Sequence, residues 1–144
     1  MFLRFFIYGL LGWAGEIIWT GVPKRLPIDW KLEGYTQWWT FPLYGLIAFL
    51  YEPLHDLLRP YPFPLRGIIY AVGFIAVEFL AGLFIKLLTG KIPWDYAGRT
   101  RWQFMGATRF DYAILWFIVG LLLEPIHDYL VTVTPALLAA LPFK

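Results

Sequence analysis

A short motif of two acidic residues, a proline and a histidine occurs twice in this chain, as Glu-Pro-Leu-His-Asp at residues 52–56 and Glu-Pro-Ile-His-Asp at residues 124–128. The offset of 72 holds without a gap from residues 30–58 to residues 102–130, where ten of 29 positions are identical. Average residue usage would give about two identities over that length. The sequence therefore indicates an internal duplication, in which each copy carries its motif toward the end of a long apolar run.

The composition is typical of an integral membrane protein. Of the 144 residues, 60% are hydrophobic and only 15% are charged, and the mean hydropathy is +0.61. Soluble domains average about 25% charged residues. The chain has no cysteine, which excludes a disulfide framework, a thiolate metal site and a cysteine nucleophile. The net charge of +2 is too small to indicate a nucleic-acid partner.

Four apolar stretches reach the length of about 20 residues that a helix needs to cross a bilayer. They predict membrane helices at residues 2–20, 38–58, 67–89 and 110–131. Residues 1–58 then form a first helical hairpin, residues 59–66 a Pro-rich turn, residues 67–131 a second hairpin and residues 132–144 an interfacial tail. Because each copy has two helices, both hairpins enter the membrane from the same side. We therefore expect an all-α integral membrane four-helix bundle made of two parallel, duplicated helical hairpins.

The distribution of Lys and Arg indicates how these helices are oriented. Eight of these residues lie in or beside the linkers at residues 21–37 and 90–109, against four on the opposite side. The positive-inside rule then predicts that both linkers are cytoplasmic and both termini non-cytoplasmic.

Four glutamates inside the predicted helices need an explanation, because a charged side chain at the bilayer centre costs roughly 2.5–3.5 kcal/mol on insertion scales. They are Glu16, Glu52, Glu78 and Glu124, and Glu16 falls on Glu78 at an offset of 62. No Lys or Arg lies in the middle of a predicted helix to pair with them, so we expect all four to be buried in the bundle interior. Neutral carboxyl groups could hydrogen-bond helix to helix, or the glutamates could handle an ion, a proton or a ligand. We also expect Glu16 and Glu78 to share a proton.

The duplicated Glu-x-x-His raises the question of a metal. Glu52, His55, Glu124 and His127 are expected at one level of the bundle, and two carboxylates with two imidazoles suit one borderline metal ion. The two histidines alone could instead ligate a haem between helices. A third interpretation is that His and Asp simply meet water at helix ends, since Pro53 and its second copy remove a helical hydrogen bond there.

Several short motifs occur in an order that is shared with a known group of membrane proteins. They are Gly-Trp-Ala-Gly-Glu at residues 12–16, Glu-Phe-Leu-Ala-Gly at residues 78–82, Phe-Met-Gly at residues 104–106, Glu124 and, most specifically, Pro93 followed by Trp94, Asp95 and Tyr96. Through them the chain resembles the transmembrane protein 229 family and the bacterial proteins described as putative ABC-transporter type IV permeases. The resemblance implies four membrane helices and a permease-like protein. It does not extend to His55, Asp56, His127 and Asp128.

These observations favour a permease-like protein that handles a ligand or ion through buried carboxylates, with an unknown substrate. The alternatives are a non-catalytic accessory subunit of a larger membrane complex, or a metal- or haem-binding membrane protein that uses the duplicated Glu-x-x-His. We expect no enzymatic activity and no obligatory cofactor. The chain has no G-x-x-x-x-G-K-[ST] motif, so an ATPase would be a separate subunit. The expected partners are the lipid bilayer and either further copies of the chain or other membrane subunits, because four helices rarely enclose a substrate path.

Overall fold

The computed structural model describes residues 1–22 and 30–140, and these residues are mostly helical. The middle of the linker predicted at residues 21–37, and the last four residues of the tail predicted at residues 132–144, lie outside the described residues. The elements are α1 Phe2–Gly21, α2 Thr40–Gly45, α3 Ile47–Leu58, α4 Phe63–Thr89, β1 Gln103–Phe104, β2 Thr108–Arg109, a 3₁₀ turn Phe110–Tyr112 and α5 Ala113–Ala140. The chain divides into two compact units, Met1–Leu50 and Tyr51–Lys144, so the division falls inside α3.

In the first unit, α1 packs closely against α2 because glycines on α1 face aromatic rings on α2. A Cβ atom at Gly12 would overlap the ring of Tyr44, and a Cβ at Gly9 would crowd Phe41. The indole of Trp13 extends the contact, because its Nε1 donates to the carbonyl of Gln37 at 2.9 Å. Small residues of this kind let two membrane helices approach, since helix association in lipid depends on van der Waals packing.

In the second unit, α4 and α5 pack in the same manner. A Cβ atom at Gly67 of α4 would overlap the ring of Phe117, and one at Gly120 of α5 would overlap Tyr70. The connection between these helices contains the two-stranded antiparallel hairpin of β1 and β2, in which Gln103 pairs with Arg109. Gly106 lies in this hairpin turn with a φ of 71°, a left-handed conformation that glycine adopts at little cost.

Among the described residues, three helical segments are long and apolar enough to cross a membrane: Phe2–Gly21, Phe63–Thr89 and Phe110–Ala140. The fourth span, expected at residues 38–58, is interrupted at Leu46, where φ is −60° and ψ is −16°. This backbone is close to 3₁₀ geometry, so the α-helical ladder breaks there into one helix of six residues and one of 12. The expected bundle of four continuous spanning helices is therefore not confirmed.

Two helices extend beyond their predicted boundaries, because prolines that were expected to lie outside them are part of the helix. The Pro-rich turn predicted at residues 59–66 is shorter, since α4 already begins at Phe63 and Pro64 occupies its first turn. Proline is tolerated there because the first N–H groups of a helix have no intrahelical acceptor. The last helix, predicted at residues 110–131, continues through Pro135 to Ala140, so the described part of the predicted tail is helical and continuous with α5.

Candidate functional site

The two copies of the duplicated motif lie against each other in the second unit, one at the end of α3 and the other in the middle of α5. The histidine rings of His55 and His127 pack edge to face, with centroids 5.3 Å apart and an interplanar angle of 81°. Both histidines and Glu52 are almost completely buried, with exposed fractions of 3%, 2% and 2%. The structure thus brings together residues 72 positions apart that the sequence analysis had placed at one level.

His55 is held by a chain of hydrogen bonds that runs through Tyr70 to Glu124. Its Nδ1 lies 2.8 Å from the hydroxyl of Tyr70, and that hydroxyl donates to Oε1 of Glu124 at 3.1 Å. The other ring nitrogen of His55, Nε2, is buried and has no hydrogen-bond partner among the described residues.

Glu124 has a cationic partner that the sequence analysis did not anticipate. Nε and Nη2 of Arg66 donate to the two carboxylate oxygens of Glu124 at 2.7 and 2.8 Å, which is a bidentate pair. Arg66 belongs to the first turn of α4, in residues that had been assigned to the Pro-rich turn. The expectation that no basic residue pairs with the intramembrane glutamates is therefore wrong for Glu124.

His127 has a comparable carboxylate environment supplied by the other motif copy. Its Nδ1 lies 3.4 Å from Oε1 of Glu52, and its Nε2 lies 3.5 Å from Oδ1 of Asp56. His55 in turn lies 3.7 Å from Glu124 and 3.9 Å from Asp128. Each imidazole therefore lies between a glutamate and an aspartate of the opposite copy.

The aspartates of the motif form the accessible side of this cluster. Asp56 and Asp128 are 58% and 50% exposed, and Arg59 bridges them. Its Nε donates to Asp56 at 2.9 Å, and its terminal nitrogens donate to Asp128. The bonds to Asp128, and to a smaller extent the bond to Asp56, raise the pKa of Arg59 above its ordinary value. The interpretation of a solvated helix end thus describes the two aspartates, whereas the two histidines are buried.

The remaining two glutamates are bonded to hydroxyl groups within their own units. Thr36 donates to Oε2 of Glu16 at 2.5 Å, and Thr108 donates to Oε2 of Glu78 at the same distance. Glu78 also accepts from the phenol of Tyr96 at 2.9 Å. Of the four glutamates expected to be buried, Glu52 and Glu78 are buried, while Glu16 and Glu124 are only half-buried. That Glu16 and Glu78 share a proton stays a prediction.

The Pro-Trp-Asp-Tyr motif at residues 93–96, the most specific part of the family resemblance, lies in the loop that hydrogen-bonds Glu78. Trp94 Nε1 donates to the carbonyl of Ala107 at 2.8 Å, and Oδ1 of Asp95 accepts from the amide of Ala97 at 2.9 Å. These bonds fix the loop that presents Tyr96 to Glu78. Burial, followed by the charge of Glu78, raises the pKa of Tyr96 well above its ordinary value, so the phenol stays a donor. Trp94, Asp95 and Tyr96 therefore have a structural role in this loop.

The comparisons with known proteins agree with the membrane helices. Residues 3–141 match the family described as "Putative ABC-transporter type IV", which covers nearly the whole chain. No solved structure matches this chain. The family and the three apolar helices together identify an integral membrane protein. The chain belongs to the Putative ABC-transporter type IV family, as its resemblance to these bacterial proteins had indicated.

Proposed function

We propose that this protein is a permease-like membrane subunit that handles a cation through the cluster formed by the two Glu-x-x-His-Asp motifs. The observation that carries the proposal is the burial of two imidazoles between carboxylates of opposite motif copies. A polar cluster among apolar membrane helices is costly, and in membrane proteins such groups mark ion and proton paths.

The charges of the cluster support a cation rather than an anion. Two glutamates and two aspartates face two guanidinium groups, those of Arg59 and Arg66, so the formal charge is −2 when both histidines are neutral. A cluster with excess negative charge and unprotonated imidazole nitrogens attracts cations and repels anions. The exposed aspartates would be the entry, and the buried histidines the inner part of the path.

We also propose that the chain is a duplication at the level of structure, because equivalent positions make equivalent contacts within each unit. The Thr36–Glu16 and Thr108–Glu78 bonds have the same atoms and the same length. The packing is complementary as well. In the first unit, Phe5 of α1 packs over Gly45. The equivalent residues of the second unit, Gly67 for Phe5 and Phe117 for Gly45, also contact each other, with the small and the large residue exchanged.

A four-crossing topology follows from this duplication, with α2 and α3 together forming the second crossing and residues 21–37 and 90–109 in the cytoplasm. The chain has no cysteine, so Tyr35→Cys, Tyr61→Cys and Ala97→Cys each create a single label site at an exposed residue. With a membrane-impermeant maleimide, we expect positions 35 and 97 to react from the cytoplasmic side and position 61 from the other side. Labelling of positions 35 and 61 from the same side would show that α2 and α3 do not cross.

The functional test is cation flux in membrane vesicles from cells that lack the chromosomal copy and carry the wild-type or a variant chain. Vesicles keep any partner subunits, and an entrapped proton or divalent-cation indicator reports flux down an imposed gradient. We expect flux with the wild-type chain and background flux with Glu124→Gln, because that change removes a charge from the cluster. Asp111→Asn is the matched control, since this acid pairs with Arg109 outside the cluster and should leave flux unchanged.

The alternative is a non-catalytic accessory subunit, and the same vesicles distinguish the two. Flux that is identical with wild type and Glu124→Gln, or equal to that of vesicles without the chain, would contradict the permease proposal. Size-exclusion chromatography of the protein from native membranes then separates the remaining cases. We expect a homo-oligomer or a complex with other membrane subunits. A monomer without partners would contradict both the permease and the accessory interpretation.

A further inference from the structure

We propose that His55, His127 and Asp128 form a binding site for one divalent first-row transition-metal ion, with Zn²⁺ as its simplest representative. The inference rests on the proposed function, because it names the class of cation that the cluster would handle. It differs from the metal site expected from sequence, which used Glu52 and Glu124 together with the two histidines.

The first argument is geometric. One potential ligand atom from each of His55, His127 and Asp128 lies within 4.8 Å of the other two. In a tetrahedral site, two ligand atoms at 2.0–2.1 Å from the zinc ion lie about 3.3–3.4 Å apart. The longest of the three separations therefore has to contract by at most about 1.4 Å, through rotation of the two rings and of the half-exposed aspartate.

The second argument concerns the buried nitrogen of His55. Nδ1 of His55 is bonded to the hydroxyl of Tyr70, whereas Nε2 is buried and has no hydrogen-bond partner among the described residues. A buried polar atom without a partner is costly, and metal coordination would satisfy it. Metal-binding histidines generally donate their other N–H to an oxygen that is itself held in place, and Tyr70 has this role here.

The ligand types select the ion. Imidazole nitrogen favours zinc, copper, iron and nickel, whereas Mg²⁺ and Ca²⁺ prefer an all-oxygen shell. Two histidines and one carboxylate supply three ligands of a tetrahedral ion. The fourth position stays open for water, or for the next ligand along the path if the ion is being transported. Glu124 is a poorer ligand than Asp128, because its bonds to Arg66 and Tyr70 are largely shielded, with Arg66 and Glu124 only 19% and 16% exposed, whereas Arg59 and Asp128 are about half exposed. A haem is disfavoured, because a porphyrin between the two rings would have to break their edge-to-face contact.

Binding requires one rearrangement, at Arg59. Its guanidinium donates to both oxygens of Asp128, and it must release one of them to the ion while it keeps its bond to Asp56. Arg59 is about half exposed, with a side-chain accessibility of 46%, so water can solvate the released N–H groups. The formal charge of −2 on the cluster favours the exchange, because a divalent ion neutralises it.

The experiment uses the full-length protein in lipid nanodiscs, treated with a chelator and then titrated with Zn²⁺ or with Co²⁺ as a spectroscopic probe. We expect one Zn²⁺ per chain, d–d absorption of tetrahedral or five-coordinate Co²⁺, no competition by excess Mg²⁺, and imidazole scattering in the X-ray absorption spectrum of the zinc form. His55→Gln and His127→Gln should each weaken binding more than about 100-fold, because loss of a ligand exceeds the 10–100-fold typical of an outer-shell partner. Tyr70→Phe should weaken it by about 10–100-fold as such a partner.

Asp111→Asn is the matched control, because it removes a carboxylate of the same unit that pairs with Arg109 and lies outside the proposed ligand set. It should bind zinc like the wild type. Absence of zinc binding by the wild-type protein, absence of imidazole scattering, or unchanged affinity in both histidine variants would overturn the metal site. Because binding is measured without a gradient, its failure is distinct from a failure of the flux experiment: vesicles can conduct protons without a zinc site, and zinc can bind to a protein that conducts nothing.

Discussion

Reversal of the charge at Glu124, by Glu124→Arg, is expected to reduce the ratio of folded to unfolded protein by more than roughly tenfold, because it puts two guanidinium groups in contact inside a helix pair. In the wild-type protein, Glu124 accepts both bonds of the bidentate pair from Arg66 and also accepts from Tyr70. The variant removes all three acceptor contacts and adds a like charge. The measurement is the monodisperse fraction after detergent extraction, together with the apparent Tm from helical circular dichroism.

The double variant Arg66→Glu/Glu124→Arg is the decisive control, since it restores an ion pair with the two charges exchanged. We expect it to recover a substantial part of the folded fraction that the single variant loses. Arg59→Gln gives the comparison for an exposed arginine: it breaks bonds to two half-exposed aspartates and should cost less than about 1 kcal/mol, as exposed ion pairs do. A single reversal that is as well folded as the wild type, or a double variant no better than the single one, would contradict the importance of this pair.

The sequence predicted where most helices lie because membrane helices are selected by length and apolarity, which are local properties. Helices α1 and α4 were predicted to within a few residues for this reason. The break at Leu46 was missed, because no residue there forbids a continuous helix: both flanking segments are apolar, and the backbone at Leu46 remains in the right-handed helical region. A one-residue change from α to 3₁₀ geometry depends on how the two short helices pack, and no sequence pattern reports it.

The candidate site was predicted in part, and the missing residues explain why. The duplicated motif was enough to predict that Glu52, His55, Glu124 and His127 lie at one level, because an offset repeated in two copies places equivalent residues at equivalent depths. Arg66 and Tyr70 were not found. Arg66 was assigned to the turn at residues 59–66 because Pro60, Pro62 and Pro64 precede it, although proline is well tolerated in the first turn of a helix.

A signal for Arg66 and Tyr70 was present in the sequence. At the offset of 62 that relates Glu16 to Glu78, Tyr70 corresponds to Tyr8 and Arg66 to Arg4. Identity between the two copies at these positions extends the repeat toward its N-terminus and indicates that both residues belong to the duplicated unit. Thr36 and Thr108, which hydrogen-bond Glu16 and Glu78, were likewise among the identical positions at the offset of 72.

Replacement of Glu78 by leucine is the second change with a large expected effect, a decrease of about 2–5 kcal/mol in the free energy of unfolding. Thr108 is 1% exposed and donates to Glu78 at 2.5 Å, and Tyr96 donates at 2.9 Å. Leucine removes the acceptor of both hydroxyls, and each buried donor left unsatisfied costs about 1–3 kcal/mol. Equilibrium unfolding by SDS in mixed micelles, followed by circular dichroism, measures the change. Glu78→Gln should cost less than about 1 kcal/mol, since its amide oxygen can still accept a bond.

The triple variant Glu78→Leu/Thr108→Val/Tyr96→Phe separates loss of acceptors from loss of packing. It removes both hydroxyls together with the carboxylate, so no buried donor is left unsatisfied, and apolar replacement of all partners is close to neutral in free energy. We therefore expect the triple variant to be more stable than Glu78→Leu alone, although it carries three substitutions instead of one. If its stability equals or falls below that of the single variant, the hydroxyl groups contribute little and Glu78 serves the fold by its volume. Recovery in the triple variant would instead show that Glu78 stabilises the fold as a hydrogen-bond acceptor. The two histidine motifs would then be the polar cluster of this unit that remains available for ions.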